Sequence, residues 1–378
     1  MKQRRFDPLD SARASMMLLG VFVHTALILP LFYKSLSQPD SSALWGIYQV
    51  IHVFRMPVFF FLAGIFAAAL FTKSGFYGFL VSRWKRIVSV VLTAGVIIAA
   101  VLLPSGCTAC SVTGKTGYLE NGWLHLWFLF YLALISHFWL LVTFIWQKFS
   151  KENYKNAMNY VSSKIRFGAI TLISLTLLTF AVPNYIGNDG ALKMTFALIP
   201  DVSLLLVFSL FYLVGWLVFF NIDQAMLQLA KMSWLLLGVG VVSGAAAVYF
   251  FSVSNQLAEQ LSYTLAMWSL TFGITGLFIK FFPKRTKVFG YFTDASYWVY
   301  LWHPIFILLF AWSGVKVGLP LWLSFVTTSV LSLTVVSLSY TYLVQGTKVD
   351  MWLSGRRRRE LPLAEKAQDA LVQPSVSG

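Results

Sequence analysis

Ionisable side chains recur inside apolar stretches of this chain, where burial in lipid is costly and usually marks function. All five histidines and one arginine lie in such stretches: His24, His52, Arg55, His125, His137 and His303. Imidazole accepts and releases protons near neutral pH, so this placement indicates a proton-transfer or binding site within a membrane. For each histidine the alternative is a packing side chain that bonds a backbone carbonyl.

The first apolar stretch carries a cation at its start and an imidazole near its middle. Arg13 and His24 are eleven residues apart, close to three α-helical turns, so they share one helix face at a separation of about 16 Å. Asp10 lies one turn before Arg13. We interpret these residues as a polar stripe that faces inward. The alternative is that Arg13 extends to lipid headgroups and that His24 is a core residue.

The second apolar stretch places His52 and Arg55 three residues apart, on one helix face. An arginine within a span needs a partner or a watery cavity. Pro57 predicts an irregular start or a kink in this helix. The alternative is that Arg55 reaches the outer headgroups, which leaves the neighbouring histidine unexplained.

Two further histidines occur in local settings that differ. His303 precedes Pro304, and a proline within a span frees a backbone carbonyl, as is common around catalytic or transport cavities. His125 lies between Trp123 and Trp127, and tryptophans at a membrane interface explain that stretch equally well.

The elements that carry these residues are apolar helices. The chain has 378 residues, 58% hydrophobic and 11% charged, against roughly 25% charged in soluble domains. Apolar runs of about 20 residues cross a bilayer as helices, because helices satisfy every backbone polar group internally. We therefore predict an all-α, polytopic transmembrane helical bundle with about ten spans, near 14–32, 47–71, 87–104, 122–146, 168–186, 195–220, 232–252, 260–282, 288–310 and 321–343.

The basic excess orients this bundle. With the N-terminus inside, 24 of the 29 Lys and Arg residues fall in inner segments, four fall outside and one, Arg55, falls within a span. This bias predicts that both termini are cytoplasmic. The net charge of +15 is then explained by orientation and by contact with anionic lipids, and we expect no nucleic-acid partner. We assign residues 1–350 to one transmembrane domain and 351–378 to a basic, disordered cytoplasmic tail.

A compact cationic patch, Arg83, Lys85 and Arg86, lies in the predicted inner loop between spans two and three. Simple anchoring to the inner membrane face explains it. The alternative is a docking site for a phosphate-bearing donor, since arginine binds phosphate in bidentate geometry.

Other chemistries are excluded or left open. The sequence has no Walker loop, dinucleotide fingerprint, serine-hydrolase elbow or zinc-protease motif, and we expect no bound cofactor or metal. Cys107 and Cys110, in a predicted outer loop, either form a small disulfide or remain two unpaired thiols.

Several stretches together resemble a known family. The segment LDSARASMMLLGVFVH, with an Arg and a His separated by ten residues, resembles the opening of the acyltransferase-3 superfamily. FRMPVFFFLAG is similar to its second helix, and SRWKR to its Arg-x-x-Arg element. Within the superfamily, HVFRMPVFF, LHLWFLFYL and ASYWVYLWHP look most like the glucans biosynthesis protein C branch.

The resemblance implies acyl transfer from a cytoplasmic acyl-CoA to a hydroxyl of a periplasmic or cell-surface carbohydrate, in a bacterial inner membrane. The branch implies succinylation of osmoregulated periplasmic glucan. We expect His24 to be the general base and Arg13, positioned by Asp10, to help hold the donor. The remaining roles are donor binding by Arg83, Lys85 and Arg86, and binding of the acceptor or acyl group by His52, Arg55, His125 and His303.

A carrier or exporter of a sugar or lipid is the alternative function. Carriers also place polar groups at the middle of the membrane, but they often show paired repeats with interrupted helices at matching positions. We find no such pairing. Release of free CoA from acyl-CoA in the presence of an acceptor separates the two functions.

Overall fold

The computed structural model describes residues 6–33, 36–102, 124–187, 190, 192–193, 199–284 and 286–354. Its regular elements in these ranges are helices, and the one β-type pairing is an isolated bridge between Ile186 and Leu192. The all-α prediction is therefore confirmed. Cys107, Cys110 and the tail beyond Ser354 lie outside the described residues.

Twelve α-helices are described, along with three short turns of other helix types. In chain order they are α1 (Asp7–Phe32), α2 (Gln38–Arg83), α3 (Ser89–Leu102), α4 (Trp127–Phe149), α5 (Lys151–Lys164), α6 (Ala169–Phe180), α7 (Val202–Phe219), α8 (Ile222–Ser252), α9 (Gln256–Phe281), α10 (Lys287–Lys316), α11 (Leu321–Ser339) and α12 (Lys348–Ser354). A π-helical turn, Trp84–Val88, joins α2 to α3, and another, Tyr340–Val344, follows α11.

Eight stretches in the described ranges are long and apolar enough to cross a membrane, or nine if the bent pair α5–α6 forms one span. One of the eight, Gln38–Val96, is 59 residues long, and a straight helix of that length would measure about 90 Å, three times the hydrocarbon thickness. It therefore contains the predicted second span and the beginning of the third. The multi-pass architecture agrees with the sequence prediction.

Two local predictions were wrong. Pro57 does not interrupt α2; the backbone leaves helical geometry at Gly75, where φ is +65°, a conformation that glycine adopts without a Cβ clash. The predicted span 168–186 is also too long, because α6 ends at Phe180 after 12 residues. Its length of about 18 Å falls short of the hydrocarbon core, and α5 and α6 meet at a bend of 115°.

The centre of the bundle is held by aromatic packing between α2, α7 and α9. Phe60 stacks on Phe208 with 4.4 Å between ring centroids, and Phe211 stacks on Trp268 at 3.7 Å. α2 and α7 approach so closely that a Cβ at Gly64 would overlap the backbone carbonyl of Tyr212. Small residues of this kind allow membrane helices to pack backbone to backbone, and this packing holds α2 rigidly against the core.

Large apolar side chains cover the opposite faces of the outer helices. On α8, for example, Leu227, Trp234, Val241 and Val248 are all exposed, as expected for a surface solvated by lipid. Most of the polar residues with predicted functions lie on α1, α2 and α10, and α1 packs against both of the other two helices.

Candidate active site

Two imidazoles from opposite ends of the chain meet inside the bundle. His24 of α1 and His303 of α10 lie with ring centroids 5.0 Å apart, and His125 lies 5.9 Å from His303. His52 and Arg55 of α2 are within electrostatic range of His24. The structure thus brings together five residues that the sequence placed in four separate spans: His24, His52, Arg55, His125 and His303. We call these five the histidine–arginine cluster.

His303 has one ring nitrogen fixed and one free. Its Nδ1 lies 2.9 Å from the backbone oxygen of Val299, one turn earlier, so Nδ1 carries the proton and donates it to that carbonyl. Nε2 is then the lone-pair nitrogen, and among the described residues it is buried without a hydrogen-bond partner. Pro304 has no N–H, which leaves the Tyr300 carbonyl without its helical donor beside the ring. The helix therefore sets the tautomer of His303 and presents a basic nitrogen to the cluster.

His125 is held by α10 on both sides. It lies in a 3₁₀ turn, Leu124–Leu126, immediately before α4. Its Nε2 is 3.2 Å from the backbone oxygen of Leu301, to which it donates, and its own carbonyl accepts a 2.6 Å hydrogen bond from the hydroxyl of Tyr300. These contacts fasten the start of α4 to α10 and favour a positioning role for His125 over direct contact with substrate.

His52 is fully buried, and in the described part of the chain neither ring nitrogen has a hydrogen bond of normal geometry, although the Leu192 backbone lies nearby. It stacks on Tyr48, one turn earlier in α2, with 4.8 Å between centroids. A buried imidazole without a partner is costly. A ligand hydroxyl in this place would supply the missing hydrogen bonds, so His52 is suited to bind a polyol.

Arg55 is only 6% exposed. In the described part of the chain its guanidinium forms no ion pair or hydrogen bond with another residue. It packs against α1 at Gly20, where a Cβ would lie 2.6 Å from Nη1. The absence of a side chain at Gly20 therefore makes the room that this guanidinium occupies.

Arg13 and Asp10 lie at the other end of α1, on the side that the charge bias predicts to be cytoplasmic. Arg13 forms a 3.1 Å ion pair with Asp10 and lies over the ring of Phe66 in α2, 5.2 Å from its centroid. Arg13 and Gly20 thus both face α2, in agreement with the single polar stripe predicted for α1. The ion pair is about one-third exposed, which leaves the guanidinium accessible from this end of the bundle.

The predicted donor patch divides into two parts. Lys85 and Arg86 are exposed and line an open cavity of about 260 Å³, together with Gly78, Val81, Ser82, Met351 and Trp352. Arg83 turns inward: it lies over the ring of Phe79, 5.0 Å from the centroid, and its Nε is buried without a hydrogen bond. The short helix α12 closes one wall of the cavity, and Trp352 donates a 3.0 Å hydrogen bond to Ser89 Oγ.

Tyr297 connects the two cationic groups at this end. Its hydroxyl interacts electrostatically with Arg83, Arg13 and Arg86, which lie on different elements. The structure thus gathers three of the predicted donor-side arginines around one tyrosine. Arg13 among them lies about 16 Å along α1 from His24.

Sequence reasoning missed three residues: Gly20, Tyr297 and Tyr300. The two tyrosines had a readable signal, because Tyr297, Tyr300 and His303 recur at intervals of three residues in one stretch and such spacing places them near one face of a helix. No sequence signal marks Gly20, because its role is to leave room for a side chain from another helix. His137, which the sequence treated as a packing residue, donates from Nδ1 to the Ala133 carbonyl at 2.7 Å.

Among the residues that the structure describes, no three His, Cys, Asp or Glu side chains are arranged to hold a metal ion. The cluster instead combines a buried cation with imidazoles, of which His125 and His303 have tautomers set by backbone carbonyls. This combination is suited to moving a proton and to stabilising a negative charge in a site shielded from water.

The family model described as an acyltransferase domain, Acyl_transf_3, matches residues 7–342. The chain belongs to the acyltransferase-3 family. The match contains every residue of the histidine–arginine cluster and of the cationic patch, and it makes the protein a membrane acyltransferase. The resemblance seen in the sequence is therefore confirmed.

The individual proteins to which this acyltransferase-3 chain is similar share only about a quarter of its residues. The chain is 26% identical over 343 residues to proteins named glucans biosynthesis protein C from Salmonella typhi and from Salmonella paratyphi B, covering 80% of this chain and 82% of each relative. No solved structure matches the chain.

Proposed function

We propose that this protein moves an acyl group from cytoplasmic acyl-CoA to a hydroxyl of a periplasmic or cell-surface carbohydrate. The observation that supports this most strongly is the placement of a proton acceptor, His24, within the bundle between two different polar surfaces. On one side are Arg13 and the cationic patch, suited to phosphates; on the other is the imidazole of His52, suited to a hydroxyl.

The donor enters from the inner side in this proposal. Lys85 and Arg86 hold the donor's phosphates in the open cavity, because cations with several N–H donors bind phosphate strongly. Arg83 and Arg13, which lie near Tyr297, neutralise the donor's remaining negative charge deeper in the bundle. The pantetheine arm then extends along the inner face of α1 and brings the thioester to His24. No bound cofactor is needed, since acyl-CoA is a substrate.

The acceptor enters from the outer side and meets the thioester at the cluster. His24 takes the proton of the carbohydrate hydroxyl as that oxygen attacks the thioester carbon. The C–S bond then breaks, and the CoA thiolate takes the proton back from His24. His52 binds the acceptor, while His303 and His125 keep the reacting groups in place. Base catalysis of this kind typically contributes about 10²–10⁴-fold.

Our proposal for the acceptor is an osmoregulated periplasmic glucan, with succinyl as the acyl group. The support is the resemblance to glucans biosynthesis protein C across most of both chains. A bacterial inner membrane with both termini cytoplasmic fits this assignment, because acyl-CoA is available only on the cytoplasmic side. Membrane lipids are then the remaining partner, bound by basic residues near the inner surface.

The test uses the full chain in lipid nanodiscs with acetyl-CoA or succinyl-CoA, with and without a glucose oligosaccharide. We expect free CoA to appear at a rate that depends on the oligosaccharide, and mass spectrometry to find a matching ester. A preparation that moves sugar across proteoliposomes but releases no CoA would be a carrier, and would overturn the proposal. Mass spectrometry of periplasmic glycans with and without the gene then identifies the natural acyl group.

A further inference from the structure

Arg55 is a buried cation near the candidate base, and it takes no part in the proton transfer proposed above. Arg55 is 6% exposed and lacks a counter-charge in the described part of the chain. Removing an ion from water without a partner is strongly unfavourable. A fold that keeps such a guanidinium in its interior therefore needs a negative charge there at some stage.

Gly20 determines which negative charge the guanidinium can reach. Nη1 of Arg55 lies at the position that a Gly20 Cβ would approach to 2.6 Å. Gly20 and His24 are four residues apart, one turn along the same face of α1, or about 6 Å. Side chains in an α-helix lean toward its N-terminus, so the imidazole of His24 leans toward the turn where Arg55 lies. The cation and the base thus lie against adjacent turns of α1, and we take the space between them as the position of the reacting carbonyl.

The reaction creates a charge in that space. When the carbohydrate oxygen bonds to the thioester carbon, the carbonyl π electrons move to oxygen and the proton moves to His24. The oxyanion exists only until the C=O bond re-forms and the C–S bond breaks. A donor held beside the attacking base before the reaction stabilises this charge without having to reorganise.

We propose that Arg55 is a catalytic residue that stabilises the oxyanion, and that Gly20 is a positioning residue that admits its guanidinium beside His24. The inference rests on the proposed function. It differs from a role in binding a carboxylate on the acyl group. A carboxylate on the acyl chain lies several bonds beyond the reacting carbonyl, whereas Nη1 of Arg55 lies at Gly20, one turn of α1 from the base.

The donors acetyl-CoA and succinyl-CoA separate these roles, because only the second carries a carboxylate. For Arg55→Gln we expect kcat to fall by about 10²–10³-fold, the usual loss of an oxyanion donor, and to fall equally with both acyl-CoAs while KM changes little. A loss confined to succinyl-CoA, or one seen only in KM, would overturn the proposal. Arg166→Gln, at an exposed arginine outside the site, is the matched control and should retain full activity.

Gly20→Ala is the second variant, and it leaves Arg55 in the chain. The added methyl displaces the guanidinium, so we expect kcat to fall equally with both donors. Gly238→Ala is the control, because that helix position has open space around it, and its kcat should not fall. If Arg55→Gln does not insert into the membrane, the comparison of Gly20→Ala with Gly238→Ala tests the inference instead. If Gly20→Ala has the kcat of the wild-type protein, the inference is wrong but the proposed function is unaffected. If the wild-type chain transfers neither acyl group, both the inference and the proposed function are wrong.

Discussion

The imidazole of His24 lies 5.0 Å from that of His303, between ring centroids, although the two residues are at opposite ends of the chain. α1 and α10 pack side by side and bring the rings together. His303 is fixed by the Val299 carbonyl, whereas His24 is only half-buried and has no such bond in the described part of the chain. Of the two, His24 is free to approach a substrate hydroxyl.

Replacing His24 with alanine should remove acyl transfer while leaving membrane insertion intact. Loss of the general base predicts a fall in kcat of about 10²–10⁴-fold. The measurement is ester formation by purified protein, with folding checked by gel filtration. His137→Ala is the matched control, because that ring bonds only its own helix. Normal transfer by His24→Ala would refute the base assignment.

Replacing His303 tests a positioning role. We expect His303→Ala to lower kcat by about 10–100-fold, or roughly 1.4–2.7 kcal/mol, with KM for acyl-CoA unchanged. The rate of the wild-type protein should rise with pH as the base loses its proton, and His303→Ala should move the midpoint of that rise because it removes a neighbour of His24. An unmoved midpoint and unchanged kcat would show that His303 only packs.

The cavity lined by Lys85 and Arg86 should control donor affinity. The double change Lys85→Ala/Arg86→Ala removes two exposed cations, so we expect KM for acyl-CoA to rise, and its dependence on salt to weaken, with little effect on kcat. Lys284→Ala/Lys287→Ala removes the same charge from another exposed site and should leave KM unchanged. If the two double variants change KM for acyl-CoA equally, membrane anchoring is the better explanation of Lys85 and Arg86.

The close approach of α2 and α7 should be intolerant of side chains. At Gly64 an added methyl overlaps the Tyr212 carbonyl, and at Gly215 it overlaps that of Phe61. Gly64→Ala forces the helices apart, and overpacking costs about 1–3 kcal/mol or more. We expect a lower melting temperature in nanodiscs. Gly238→Ala serves as the reference substitution, and an equal melting temperature for both would contradict the packing described.

The charge bias predicts which end of the bundle faces the cytoplasm. In a Cys107→Ser/Cys110→Ser background, Gln38→Cys should react with a membrane-impermeant thiol reagent in intact spheroplasts. Lys155→Cys should react only after permeabilisation. Both positions are exposed, so access depends on side alone. The reverse pattern would invert the topology and place the cationic patch away from acyl-CoA.

Several features followed from the sequence by itself because they depend on local physics. Hydropathy indicated the helical class and the multi-pass architecture, since lipid leaves a backbone no other way to satisfy its polar groups. Spacing placed Arg13 and His24 on one face of α1. The sequence also gave the family, because its motifs lie in contiguous stretches.

Only the tertiary structure decided how those helices meet. Nothing local indicates that His303 lies against His24, or that Gly20 makes room for Arg55, because each contact joins residues far apart in the chain. The break in α2 at Gly75 rather than at Pro57 was also visible only in the structure. Chemistry at this site depends on separations of a few ångströms between helices, and such separations arise from the packing of the whole bundle.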